Sequence, residues 1–124
     1  MNVVDSSGWL EYFSGSALAP RYSGYLERKE RLLVPTLVLH EVYRWIRLHR
    51  DEDEALKFIA TMSEGRVIAL DDTLALLAAD LRLEHKLAMA DSIVYATTLQ
   101  YRAKLITSDA DFKNLSEVVY FPKH

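Results

Sequence analysis

The chain has 124 residues, half of them hydrophobic and 27% charged, with a net charge of −3 and no cysteine. That length suits one compact domain with its own core, so residues 1–124 are read as a single domain. The composition excludes a disulfide framework, a thiolate metal site, a broad basic nucleic-acid surface and a membrane span, and it fits a reducing cytoplasm.

Met1 to Val4 reads as a strand, followed by the helix-start cluster Asp5-Ser6-Ser7-Gly8. A short amphipathic helix then carries Trp9, Leu10 and Phe13 and stops near Gly15. A second helix is expected from about Ala19 to Arg31. Leu32-Leu33-Val34 with Pro35 behind it predicts a short buried strand, since proline disfavours helix at the residue before it.

Thr36 is placed as the cap of a helix reaching about Arg50, and Asp51 as the cap of another reaching Met62 or Ser63. Arg66 to Leu70 is the third strand. Asp71, Asp72 and Thr73 start a helix with Leu74, Leu77, Ala78 and Leu81 on one face. Asp91 opens a helix to about Tyr101, Lys104 to Thr107 forms a fourth strand, and Val118 to Phe121 a fifth. Strands separated by helices imply parallel pairing with right-handed crossovers, hence a three-layer α/β/α sandwich around a mostly parallel sheet of about five strands.

In open sheets of this kind ligands bind beyond the carboxyl ends of the strands. Asp5 and Asp109 both stand just past such ends. Taken singly, Asp5, Asp91 and Asp109 are each explained as helix caps. Glu41 is harder to explain in that way, because its helical neighbours are Leu37, Val38 and Trp45, with Leu48 a turn further on. A carboxylate in an apolar stripe must be protonated, paired with an arginine or bound to a cation. Four carboxylates without a cysteine or an ordered histidine set favour Mg²⁺ or Mn²⁺ over zinc, and such a centre suits phosphodiester hydrolysis.

The basic groups Arg44, Arg47, His49 and Arg50, and Arg28, Lys29 and Arg31, read either as solvated helix surface or as a rim of phosphate contacts. Tyr43 and Trp45 offer rings for base stacking, although Trp45 shares its predicted stripe with Leu48 and is assigned to the core. His40, His49, His85 and His124 support no rival mechanism.

Val4-Asp5-Ser6-Ser7-Gly8-Trp9-Leu10 resembles the opening of PIN-domain ribonucleases, in particular the VapC-type toxins of prokaryotic toxin–antitoxin pairs. Leu87 to Thr97 resembles their third acidic motif, Leu105 to Phe112 their fourth, and Glu41 falls where they place the second acid. The resemblance spans nearly the whole chain. It implies endonucleolytic RNA cleavage with Mg²⁺ or Mn²⁺ and an acidic site of Asp5, Glu41, Asp91 and Asp109. Asp5, Asp91 and Asp109 would be the inner ligands, and Glu41 would act through water. Ser6, Thr107 and Asp111 would stand behind these ligands, unless Asp111 is a surface acid. A homodimer and silencing by a cognate VapB-type antitoxin are also implied.

The chain departs from the family at Lys86 and Arg102, where glycine is frequent; left-handed backbone at either would add strain of about 1 kcal/mol. Two rival functions are a noncatalytic PIN-fold interaction module and a receiver-like domain with Asp71 or Asp72 as phosphoacceptor. In the latter case Asp72 more simply caps its helix.

Overall fold

The computed structural model describes residues 1–123. Five strands form one sheet: β1 (Asn2–Val4), β2 (Leu32–Pro35), β3 (Arg66–Ile68), β4 (Lys104–Thr107) and β5 (Val118–Tyr120). Their spatial order is β3-β2-β1-β4-β5, and every pairing is parallel. Six α-helices fill the connections: α1 (Ser6–Ser14), α2 (Ala19–Leu26), α3 (Thr36–His49), α4 (Glu52–Met62), α5 (Asp72–His85) and α6 (Met89–Gln100). Among the described residues no helix is long and apolar enough to cross a membrane.

Successive residues of a strand face opposite sides of its sheet. Val3 and Val4, Leu33 and Val34, and Leu105 and Ile106 are all buried, so both faces of the three central strands are covered. This is the expected α/β sandwich. The strand order reverses between β1 and β4, because the chain leaves β1 toward β2 on one side and returns to β4 on the other. The crevice at such a reversal is where doubly wound sheets hold ligands.

Several elements end earlier than the sequence suggested. The second helix stops at Leu26, and a separate 3-10 turn covers Lys29–Arg31. Residues 27–31 carry only charged side chains and offer no apolar face to bury, which removes the main support for continuing a helix. Strand β3 ends at Ile68, opposite Pro35, where its partner β2 also ends. Thr36 is not a cap; Pro35 occupies that position with extended backbone, and no side chain caps α3. Asp91 is not a cap either, because the helix begins at Met89 behind Ala88. Asp51 and Asp71 do cap their helices, accepting from Glu54 N at 2.8 Å and Leu74 N at 2.9 Å. The cap of α5 is thus Asp71, whereas Asp72 accepts from the neighbouring Thr73 N.

Lys86 (φ 57°) and Arg102 (φ 52°), the two positions where the family frequently has glycine, both adopt left-handed backbone. Lys86 closes α5 and is exposed. Lys86→Gly is expected to raise thermal stability by about 1 kcal/mol by relieving this strain. A melting curve checks it, and an unchanged or lower Tm counts against the strain argument.

Candidate functional site

Register alone brings the first and last acids together. Val4 pairs with Ile106, and the Asp5 N–H donates to the Ile106 carbonyl at 3.3 Å, so Asp5 emerges beside Thr107. Asp5 is only 7% exposed. Its Oδ1 caps α1, accepting from Gly8 N at 3.2 Å and Ser7 Oγ at 2.9 Å. Its Oδ2 accepts from Thr107 Oγ1 at 2.7 Å. The same Thr107 oxygen accepts from the Asp109 N–H at 2.9 Å, so one hydroxyl sets both the Asp5 carboxylate and the Asp109 backbone. Burial raises the Asp5 pKa, opposed by the donors Thr107, Ser7 and Gly8.

Gly8 permits this approach. A methyl group there would lie 2.5 Å from Tyr22 Cε1 and 2.6 Å from Val4 Cγ1, both buried. Tyr22 cannot easily give way, because its hydroxyl is 2.6 Å from Ser108 Oγ, next to Asp109.

Asp109 ends the β4 loop and accepts from the Asp111 N–H at 2.9 Å, starting the 3-10 turn Ala110–Phe112. That turn aims Asp111 back toward the crevice. One carboxylate oxygen from each of Asp91, Asp109 and Asp111 lies within 4.8 Å of the others. Asp91 projects from the first turn of α6, and its carboxylate accepts no hydrogen bond from any described residue. Its pKa is pushed up to about 7, first by burial and then by the charges of Asp109, Asp111, Asp5 and Glu41. The four acids expected from the sequence therefore sense one another, and Asp111 stands in the tightest group.

Glu41 is placed differently from its predicted setting. The buried line of α3 is Val38, Val42 and Ile46, while Trp45 is 39% and Leu48 63% exposed. At about 100° per residue Leu48 points roughly opposite Ile46, and Trp45 stands about 100° from Ile46, at the edge of the sheet-facing side. Trp45 is thus not core. Glu41 lies half-buried at the edge of this line, in a cavity of about 390 Å³ with Ser6, Leu10, Leu37, His40, Arg44, Trp45 and Ala90. Burial raises its pKa, the Ser6 side chain opposes this as a hydrogen-bond donor, and Asp5 and Asp109 add to it. No arginine pairs with Glu41 among the described residues.

The basic rim is only partly committed to local pairs. Arg50 pairs with Glu54 at 2.8 Å, Lys29 with Glu64, and Arg47 donates to Tyr43 Oη at 3.1 Å. A cavity of about 850 Å³ between α5 and α6 has no acid in its lining.

A parallel α/β/α sheet with carboxylates gathered at its strand-order reversal defines the class of protein at hand. The model of the PIN domain family matches residues 3–118, and the chain belongs to that family. The fold is similar to a toxin–antitoxin complex from Klebsiella pneumoniae at 22% identity and TM-score 0.84, covering 98% of this chain and 99% of that one. It is also similar to VapC20 of Mycobacterium tuberculosis, a sarcin–ricin loop cleaving toxin (18% identity, TM-score 0.78, covering 98% and 100%). VapBC2 of Rickettsia felis, bound to a DNA fragment from its promoter, is a third (12% identity, TM-score 0.75, covering 98% and 97%). At these identities the likeness is one of fold. Comparison with curated protein sequences gives no match. A receiver-like reading has no further support, since Asp71 and Asp72 are engaged at the start of α5.

Proposed function

We propose that this PIN domain, a single unit over residues 1–124, is a metal-dependent endoribonuclease. The observation that carries the reading is the Asp91–Asp109–Asp111 group, three carboxylates within 4.8 Å of one another beside the buried Asp5. Burial first, and then the neighbouring charges of Asp109, Asp111, Asp5 and Glu41, oppose ionisation of Asp91 and push its pKa up to about 7, and a cation would relieve both. The donors are all hard oxygens, with no imidazole or thiolate among them, which suits Mg²⁺ or Mn²⁺.

Asp91 and Asp109 would hold the ion, with Asp5 and Asp111 completing or supporting the shell. Bound there, Mg²⁺ or Mn²⁺ supplies an acidified water and positive charge for the oxygens of an in-line phosphodiester displacement. The chain's own contribution is positional. Three donors lock Asp5, and Thr107 ties it to the Asp109 loop. Glu41, half-buried in the cavity with Ser6, would orient the attacking water and accept its proton.

The toxin reading rests on likeness to solved VapC and VapBC structures. We extend it to action as the toxin of a type II toxin–antitoxin pair in the cytoplasm, as a homodimer silenced by a VapB-type antitoxin. To test the nuclease reading, protein freed of any antitoxin is incubated with total RNA and Mg²⁺ or Mn²⁺, beside an Asp5→Asn variant and an EDTA control. Cleavage by the parent alone, abolished by EDTA, is expected. Equal activity in both proteins, or none in either, would make this PIN fold a noncatalytic interaction module.

A further inference from the structure

We propose that the exposed face of α3 is a nucleotide subsite beside the acidic centre. Trp45 would stack on a base of single-stranded RNA, and Arg44 would hold an adjoining phosphate. The inference rests on the endoribonuclease reading and names how that site grips its substrate.

Trp45 lines the same cavity as Glu41 and Ser6, of about 390 Å³, within the range of roughly 300–1,000 Å³ usual for small-ligand sites. The indole is stacked on His49 with centroids 4.0 Å apart and planes at 17°. His49 is fixed in turn by a 2.9 Å contact between its Nδ1 and the Trp45 carbonyl oxygen. The result is a preset two-ring platform rather than a mobile side chain. Pre-set rings lose little freedom when a base stacks, and stacking suits any base because all present a flat face.

Arg44 and His40 border this cavity and also a second one of about 430 Å³, which continues along α3 past Tyr43, Arg47 and Leu48. Among the described residues Arg44 has no salt bridge or side-chain hydrogen bond, whereas Arg47 and Arg50 each have a partner. An unpaired guanidinium in the same cavity as Glu41 fits a polyanion passing along this face: the cation would take one phosphate, and the acidic centre with its metal the next. The trough therefore combines the two elements of sequence-tolerant single-strand binding, cationic and aromatic groups in alternation.

The chain has two tryptophans, Trp9 buried and Trp45 exposed, so an RNA-dependent emission change that is lost in Trp45→Phe reports on the proposed platform. A short mixed-sequence single-stranded oligoribonucleotide is titrated into Asp5→Asn protein, and binding is followed in parallel by anisotropy of a labelled copy. Quenching that tracks binding, and that disappears in an added Trp45→Phe change with affinity retained, is expected. In the otherwise native enzyme, Trp45→Ala should raise KM about tenfold with kcat within about twofold, and Trp45→Phe should restore most of the loss. Arg44→Gln should raise KM and reduce the salt slope of binding by about one. Unchanged Trp45 emission at saturation, or an unchanged KM in Trp45→Ala, overturns the subsite and leaves this face to a protein partner. Absence of cleavage by the parent overturns the nuclease reading instead, and the emission titration still decides whether RNA lies on Trp45.

Discussion

An Asp91→Asn protein is expected to lose on the order of 10³ of its RNA cleavage rate and yet to be more stable than the parent when both are free of metal above about pH 7. The first effect follows if Asp91 belongs to the proposed cation shell; several kcal/mol of charge stabilisation at about 1.4 kcal/mol per tenfold gives that size. The second follows from the raised pKa of Asp91, about 7 in the folded chain against 3.8 ordinarily. A carboxyl whose folded pKa is raised stabilises the fold fully below its unfolded pKa, and that contribution is lost as pH climbs through the folded value. The parent therefore weakens between about pH 4 and pH 7, whereas asparagine carries no charge to lose. Asp91 is half-exposed, so solvent screening reduces the gain to about 1 kcal/mol, or a few degrees in Tm. Melting curves of both proteins in EDTA across this range test the point. A variant that is less stable than the parent at pH 8 contradicts the crowding of acids around Asp91.

The second expectation couples metal to protons. Asp91 must ionise before it can ligate, so the apparent affinity for Mn²⁺ should rise about tenfold per pH unit up to about 7 and level off above it. Calorimetry in two buffers of different ionisation heat would show a proton released below that pH and little above. Saturation at about 100 times Kd should add about 2.7 kcal/mol of stability, restoring what the unneutralised acids remove. Affinity that is flat from pH 5 to 7, with no proton release, would mean that the ion binds elsewhere or that Asp91 stays out of its shell.

Much of this was legible in the residues because strand ends and acids lie next to each other along the chain. Val4 and Ile106 each end a short apolar run with a polar residue directly after it, and the parallel register of β1 and β4 then sets Asp5 beside Thr107. Asp5 also illustrates why a local explanation and a functional one need not compete. One of its oxygens caps α1, and the other is held by Thr107.

What the sequence hid was rotational. The apolar stripe of α3 was drawn through Trp45 and Leu48, while the helix buries Val38, Val42 and Ile46. Both alignments satisfy helical periodicity, and only packing against the sheet chooses between them. The same ambiguity made Trp45 look like core. Asp111 was hard to place for a different reason. Its approach to Asp91 depends on a three-residue 3-10 turn started by Asp109, a feature that leaves almost no pattern in sequence. The resemblance to the family singles out Lys86 and Arg102 as positions where left-handed backbone would cost strain, and both adopt it, whereas nothing in the sequence marks Glu117 (φ 64°).

The most direct test is a crystal of the protein soaked in MnCl₂ and measured at the manganese absorption edge. An anomalous peak within about 2.5 Å of carboxylate oxygens of both Asp91 and Asp109, absent from Asp91→Asn crystals, is the expected result. A peak on other side chains, or none at the Asp91–Asp109 crevice at saturating Mn²⁺, would contradict a hard-cation centre in this fold.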